Sequence, residues 1–251
     1  MTTVAVLADL PAETDALAGV VESGPLDAEE ATRLYTATLR DACAAVERSG
    51  GELLVNYRTL DAPKEEAEEA VASAVAPALD DPEDARYEVQ VGSTRSARVG
   101  NTVTHLLERE EVRSAAVLDP AVALAERRHV DSAAMKLRGA EVVLGPTPGG
   151  AVWYAGFTEP VDFADAFAPP SLRTLTERGS GEGLDVEFIE SRPLVSDYAG
   201  LASAVVSVQS RTIAGRPVPG YTRRAVADLG LDVAATGDEL DVHTGADTDR
   251  S

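Results

Sequence analysis

Short runs of aliphatic and β-branched residues recur along the chain, separated by segments long enough to hold a helix. Each run is bounded by Gly, Pro, Asp or Asn, which are typical turn residues. Runs of this length and composition predict buried strands. The strands are predicted at residues 3–8, 52–57, 87–91, 114–118 and 184–189.

The intervening segments carry apolar residues at helical spacing. Asp27 is predicted to cap a helix that continues to about residue 48, because Glu30 lies three residues later in a capping-box pattern. Further helices are predicted over residues 64–79, 95–111, 171–178 and 197–208. Strands that alternate with helices predict right-handed crossovers and a mostly parallel sheet with helices on both faces. We therefore expect one three-layer α/β domain over residues 1–235, followed by an acidic flexible tail at 236–251.

Acidic residues dominate the charge balance. The chain has 43 Asp and Glu against 22 Lys and Arg, giving a net charge of −21, and Lys64 and Lys136 are its only lysines. Such a composition is typical of cytoplasmic proteins of extreme halophiles. Molar salt shortens the Debye length to about 3 Å, which suppresses the repulsion between acidic side chains. The alternative is an acidic surface that avoids polyanions. Both interpretations argue against nucleic acid or an anionic membrane as a partner.

A single cysteine limits the redox and metal chemistry. Cys43 lies in an apolar helical stripe, so a buried structural role is favoured and an internal disulfide or multi-thiolate metal site is excluded. The sequence has no long apolar run and no basic segment before its first strand. We expect a soluble, cytoplasmic protein without a membrane partner.

The most informative motif is EVVLGPTPGGAVWYAGF at residues 141–157, which predicts strand, turn and strand. It resembles the V-V-L-G-P-x-x-D-G-G-Y-Y-x-I-G element of the nucleotide-diphospho-sugar transferases, in particular their radical-SAM/selenodomain-associated branch. ATRLYTATLRD at residues 31–41 similarly resembles A-A-x-L-Y-x-A-F-L-x-D of that family. The resemblance implies a glycosyltransferase-A fold, a nucleotide or nucleotide-sugar ligand, and a divalent cation (Mg²⁺ or Mn²⁺) held by carboxylates.

Carried onto this chain, the resemblance assigns roles to four residues. Asp119, after the fourth strand, would hold the metal, and Asp197 would be the catalytic or supporting carboxylate. Gly149 and Gly150 would let the substrate approach the backbone. The chain departs from the family at Asp9, where the family has lysine, and at Pro148, where it has aspartate.

Each assignment has a structural alternative. Asp119 precedes proline and is also a typical turn residue, and Asp197 is also a typical helix N-cap. Arg95 and Arg98 lie in a Gly-Ser-Thr-Arg segment between a strand and a helix, where backbone amides and guanidiniums suit a phosphate. Residues 211–224 form a locally basic stretch, which either binds an anion or pairs with nearby acids.

Three hypotheses follow. The first is a nucleotide-sugar or nucleotidyl transferase that is metal-dependent if active. The second is a non-catalytic relative that binds a ligand or partner, favoured by the missing motif charges. The third is an enzyme similar to a phospholactate guanylyltransferase, which shares the fold.

Overall fold

The structure is a computed structural model that describes residues 1–11, 16–237 and 239–245. It contains a seven-stranded sheet in the order β3-β2-β1-β4-β6-β5-β7. The strands are β1 Thr2–Ala8, β2 Glu52–Tyr57, β3 Arg86–Val89, β4 Ser114–Leu118, β5 Val142–Pro146, β6 Val152–Phe157 and β7 Val186–Phe188. All pairings are parallel except those of β6 with β4 and β5. The predicted α/β fold with a mostly parallel sheet is confirmed.

Helices cover both faces of this sheet and make three layers. On one face, apolar residues of α1 Ala18–Ser23, α2 Ala28–Glu47, α3 Lys64–Val75, α5 Arg127–Lys136, α7 Tyr198–Ile213 and α8 Gly220–Asp228 share a core. On the other face, α4 Arg95–Glu108 and α6 Ser171–Gly181 pack on a second core. Among the described residues, no helix combines the length and apolarity that crossing a membrane requires.

Local sequence signals account for the helix starts. The predicted capping box at the start of α2 is present, with Asp27 Oδ1 accepting from Glu30 N and Glu30 Oε2 accepting from Asp27 N. Thr94 caps α4 through Ala97 N at 3.1 Å. A long-range cap begins α8, because the buried Asp41 of α2 accepts hydrogen bonds from Tyr221 N and Thr222 N. This bond pair ties the last helix to the second one.

The expected flexible tail differs from the structure where the chain is described. Residues Glu239–His243 form a strand, β9, that pairs antiparallel with β8 Asp232–Thr236. One cross-strand pair attaches the hairpin to the domain: Val242 is buried, and its partner Val233 packs against the first core. Residues 246–251 of the expected tail lie outside the described residues.

Candidate ligand site at the carboxyl ends of the strands

A polar residue directly follows the carboxyl end of each of the strands β1, β2, β3 and β4. These four residues are Asp9, Arg58, Gln90 and Asp119. Successive strand residues point to opposite faces of a sheet. The residue before each of the four packs on the face that carries α2, namely Ala8, Tyr57, Val89 and Leu118. Alternation therefore directs all four polar side chains to the α4 face of one sheet edge.

Asp119 is engaged by an arginine from α4. Arg95 Nη2 lies 2.7 Å from Asp119 Oδ2, and the other carboxylate oxygen accepts from Ala121 N at 2.9 Å. The Asp119 side chain is 10% exposed, whereas that of Arg95 is 42% exposed. The carboxylate is thus buried under the guanidinium, and the guanidinium faces outward.

Asp9 is paired in a similar way by an arginine of the neighbouring strand. Arg58 Nη1 lies 3.2 Å from Asp9 Oδ1, and Tyr35 Oη accepts from Asp9 N at 2.7 Å. Burial, followed by the negative charge of Asp9, raises the pKa of Tyr35 well above its ordinary value. Tyr35 therefore remains a neutral phenol that fixes the end of β1.

Gln90 joins the strand ends to α4. Its amide nitrogen donates to Asn56 O and Ala8 O, at 2.7 and 3.2 Å, and its oxygen accepts from Arg98 Nε at 2.9 Å. Arg95 and Arg98 are three residues apart, so they lie on one face of α4. Both arginines therefore reach the same sheet edge, one toward β4 and one toward β3.

Among the described residues, this edge brings three arginines together in a chain of net charge −21. They are Arg58, Arg95 and Arg98, with Asp9 and Asp119 beside them. The amino terminus of α4 adds its positive dipole end at the same place. The combination favours an anion, and guanidiniums are well matched to phosphate oxygens.

The predicted glycine turn closes β5 and β6 at the same edge. Thr147 N donates to Ala151 O and Gly150 N to Thr147 O, and Gly150 has φ +79°, a conformation that glycine favours. A Cβ on Gly149 would be 4.0 Å from its nearest neighbour, Thr147 Oγ1. The fold therefore requires glycine at 150, whereas the protein leaves open space at 149.

Asp197 lies at the N-cap of α7, where its Oδ1 accepts from Gly200 N at 2.8 Å. Its loop contacts the loop after β4, since Val195 N donates to Ala121 O. This hydrogen bond of the Asp197 side chain caps α7, which is a structural role. Its predicted catalytic role stays a prediction.

A β-bulge turns two consecutive aromatic residues to the same face. The register of β5 against β6 shifts between Gly145 and Pro146, so Trp153 and Tyr154 both enter the core shared with α2. Trp153 O accepts from Asp119 N at 2.9 Å, and Trp153 Nε1 donates to Glu190 O at 3.1 Å. The Trp153 backbone is therefore bonded to Asp119, while its indole packs against Gly145, His129 and Glu190.

An ion-pair network lies on the same face beside Trp153. His129 is 4% exposed and edge-on to the indole, with Arg192 Nη2 2.7 Å from its Nε2. Burial, together with Arg192 and Arg128, lowers the pKa of His129 to about 4. Arg211, from the basic stretch 211–224, pairs with Glu126 of this network. The stretch begins in α7, continues as a loop over residues 214–219 and ends in α8, where Arg224 stacks on Tyr221.

One carboxylate and histidine cluster has metal-ligand proximity. Single ligand atoms of Glu88, His105 and Glu110 lie within 4.8 Å of one another. The Arg86 guanidinium already contacts both carboxylates. Glu88 and His105 also line a cavity of about 290 Å³ between β3 and α4, so this cluster flanks the sheet rather than lying at the strand ends.

Solved structures share the architecture. A protein of Desulfovibrio desulfuricans G20, provisionally described as a nucleotide-diphospho-sugar transferase, superposes with a TM-score of 0.73 at 14% identity, covering 90% of this chain and 94% of its own. The chain has the nucleotide-diphospho-sugar transferase fold. The 4-diphosphocytidyl-2C-methyl-D-erythritol synthase of Anaerococcus prevotii DSM 20548 gives 0.50 at 13% identity, covering 83% and 96%. No protein-family model and no curated protein sequence matches the chain.

A more distant structure carries ligands. Glucosyl-3-phosphoglycerate synthase from Mycobacterium tuberculosis is in complex with Mn²⁺, UDP and phosphoglyceric acid. It is 12% identical and covers 97% of this chain and 86% of its own, with a TM-score of 0.43. That similarity is too low for its ligands to be transferred to this chain.

Asp119, Arg95 and Arg98 were predicted from the sequence, but three members of the edge were missed. Gln90 lay inside a predicted strand and was given no role. Arg58 was not considered, and Asp9 was treated only as the loss of a lysine. The available signal was position. Arg58 and Asp9 both come directly after a predicted strand, so, like Asp119, each should point to the face opposite that of the last strand residue. The first loop lacks the lysine of the family, and positive charge comes instead from Arg58 after β2 and from Arg95 and Arg98 of α4.

Proposed function

We propose that the protein binds a nucleotide or nucleotide sugar through its phosphates at the carboxyl edge of the sheet and transfers a group from it. The observation that carries the proposal is the convergence of Arg58, Arg95 and Arg98 on this edge. Open α/β sheets bind ligands outside the carboxyl ends of their strands. The fold supports the same ligand class.

The chemistry follows from charge. Transfer from a nucleotide diphosphate leaves negative charge on phosphate oxygens, and preorganised guanidiniums stabilise that charge as it develops. Gly149 would admit the transferred group against the backbone of the β5–β6 turn, where a Cβ would narrow the space. A nucleotidyl transfer of the phospholactate guanylyltransferase kind would use the same arginines on a triphosphate.

A non-catalytic binding protein is the second candidate, and a specific observation favours it. The carboxylates of Asp119 and Asp197 are engaged, by Arg95 and by the α7 cap respectively. Neither is poised in the described contacts to accept a proton from an acceptor hydroxyl. Binding without turnover would distinguish this candidate.

The test is binding and turnover across a panel of nucleoside diphosphates, triphosphates and nucleotide sugars in KCl. We expect a ligand at a hundred times its Kd to stabilise the fold by about 2.7 kcal/mol. Arg58→Gln and Arg98→Gln should weaken binding about tenfold each, because each removes a charge-assisted bond.

Arg109→Gln is the matched control. Arg109 is exposed at the far end of α4, so the substitution removes the same charge without touching the sheet edge. Equal losses in all three variants would point to net charge alone and contradict the site. Binding with no product for any acceptor would favour the non-catalytic candidate.

A further inference from the structure

We propose that this site binds its phosphorylated ligand without a divalent cation, and that the Arg95 guanidinium occupies the position where the resemblance places the metal. The inference rests on the proposed function and deepens it. It assigns the substrate class as a metal-free diphosphate or triphosphate group rather than its magnesium or manganese complex.

The first support is the state of Asp119, the expected metal ligand. Its Oδ2 accepts from Arg95 Nη2 at 2.7 Å and its Oδ1 from Ala121 N at 2.9 Å. A divalent cation at either oxygen would lie next to a fixed positive charge in a largely buried position. The energy of two like charges at such separations is strongly unfavourable where water is excluded.

The second support is that the described carboxylates near this edge are already engaged. Asp9 is paired with Arg58, and the Asp197 carboxylate caps α7. Mg²⁺ prefers octahedral oxygen coordination, usually with one or two carboxylates. The described residues of the edge therefore do not fit the cation that the resemblance implies.

The third support is that Arg95 can perform the electrostatic task itself. A guanidinium has five N–H donors. The bond to Asp119 fixes one end of the group, while 42% of the side chain remains exposed toward the edge. Asp119 is then a positioning residue that orients Arg95, and Arg95 is the residue that touches phosphate.

The cluster of Glu88, His105 and Glu110 does not restore a metal to the site. Arg86 bonds to both carboxylates, and the cluster lies along the flank of α4, with His105 ten residues beyond Arg95. A rise of about 1.5 Å per helical residue separates the two positions by about 15 Å along the helix. A cation there would not bridge a phosphate held by Arg95.

The experiment is calorimetric titration of the intact protein with UDP and with inorganic pyrophosphate, in EDTA and in millimolar Mg²⁺ or Mn²⁺. We expect the Kd in EDTA to equal or improve on that in metal, because free ligand is the bound species. Arg95→Gln should weaken binding by about tenfold or more in both buffers, and Arg109→Gln should not.

Asp119→Asn separates the two accounts. It keeps the shape of the side chain but removes the charge that a metal would need. We expect the variant to retain binding in EDTA, with at most a modest loss from a less fixed Arg95. If binding instead requires metal and Asp119→Asn abolishes it, this inference is wrong while the proposed function stands.

Circular dichroism of each variant confirms that it is folded before titration. If the folded wild-type protein binds neither probe nor any nucleotide in either buffer, the proposed function fails, and this inference fails with it. A metal-dependent Kd that survives Asp119→Asn would place the cation elsewhere and also overturn the inference.

Discussion

At the residue scale, the site is built from pairs that the chain brings together over long distances. Arg95 and Asp119 are 24 residues apart, and Arg58 and Asp9 are 49 apart. Each pair combines an outward guanidinium with a more deeply buried carboxylate. Such pairs hold the arginines in fixed orientations, and a preorganised donor loses less entropy when it binds an anion.

His129 provides a prediction at this scale. Its pKa is about 4 in the folded protein against an ordinary 6.5, so the unfolded chain takes up a proton first as the pH falls. Stability should therefore decrease from pH 6.5 to pH 4, by an amount on the order of 3 kcal/mol from this residue. His129→Asn should flatten the dependence of the unfolding free energy on pH over that window.

The control is His105→Asn, because the His105 side chain is 54% exposed. Denaturant titrations at several pH values, at constant ionic strength, measure both variants. Parallel slopes for wild type and His129→Asn would contradict the prediction.

At this scale, single residues of the candidate site were predictable from the sequence, but their hydrogen-bonding partners were not. Asp119, Arg95 and Arg98 were identifiable because each follows a strand or precedes a helix. The bond between Arg95 and Asp119 depends on the crossover that places α4 over β4 and on the register of the sheet. Neither is fixed by residue type or spacing.

At the scale of elements, α4 determines the site because it carries two of the three arginines. Its packing is close: a Cβ on Gly100 would lie 2.8 Å from Phe163 Cβ. Ser96 Oγ also accepts from Phe167 N at 2.9 Å. The segment between β6 and α6 therefore fixes the position of α4 on the sheet, and with it the positions of Arg95 and Arg98.

Asp197 gives the prediction for an element, since it begins α7. Asp197→Ala should lower the unfolding free energy by about 1 kcal/mol through loss of the cap, whereas Asp197→Ser should nearly preserve it. We also expect Asp197→Ser to bind nucleotide as wild type does and to retain any turnover. Chemical denaturation and the ligand panel test the two halves separately.

The serine variant is the informative one, because serine caps helices well but cannot act as a carboxylate. A stable Asp197→Ser protein that has lost turnover would restore the catalytic role first assigned to Asp197. Loss of stability in both variants would show that the carboxylate does more than cap.

The elements themselves were largely predictable. The first four strands and the capping box of α2 follow from apolar runs and from Asp27 and Glu30. The final hairpin was missed because the acidic, Gly- and Thr-rich composition obscured a two-residue alternation in short strands. Helix α8 was not predicted, and its cap, Asp41, comes from α2, 180 residues earlier than Tyr221.

At the scale of the whole molecule, three arginines lie together at one edge of the sheet in a strongly acidic chain. A net charge of −21 repels an anionic ligand at long range, while three arginines attract it locally. Salt screens the long-range repulsion between exposed charges more than it screens close, partly buried contacts. Phosphate binding should therefore tolerate more salt than an exposed patch would.

Stability should rise with KCl. The Debye length falls from about 10 Å at 0.1 M to about 3 Å at 1 M, so most of the gain from screening should be complete by about 1 M. Replacing Asp81, Glu83 and Asp84 by their amides should make the rise smaller, because these exposed acids form one dense run whose repulsion salt would otherwise screen. Unfolding midpoints across a KCl series measure both curves.

Sucrose provides the comparison, since an excluded, uncharged solute stabilises proteins without screening. If stability instead rises linearly with KCl, as it does with sucrose, and the amide substitutions do not change that rise, charge repulsion is ruled out as the cause. The sequence alone was sufficient for this prediction, because net charge needs no coordinates.

The bulge in β6 has one more consequence. Trp153 is the chain's only tryptophan, and its carbonyl accepts the Asp119 amide while its indole donates to the Glu190 carbonyl. All indole emission from the protein therefore originates from one buried ring, whose residue is bonded through its backbone to Asp119, the partner of Arg95. The native chain thus contains its own fluorophore next to that strand end, and local opening there should change the intensity and wavelength of its emission without a label.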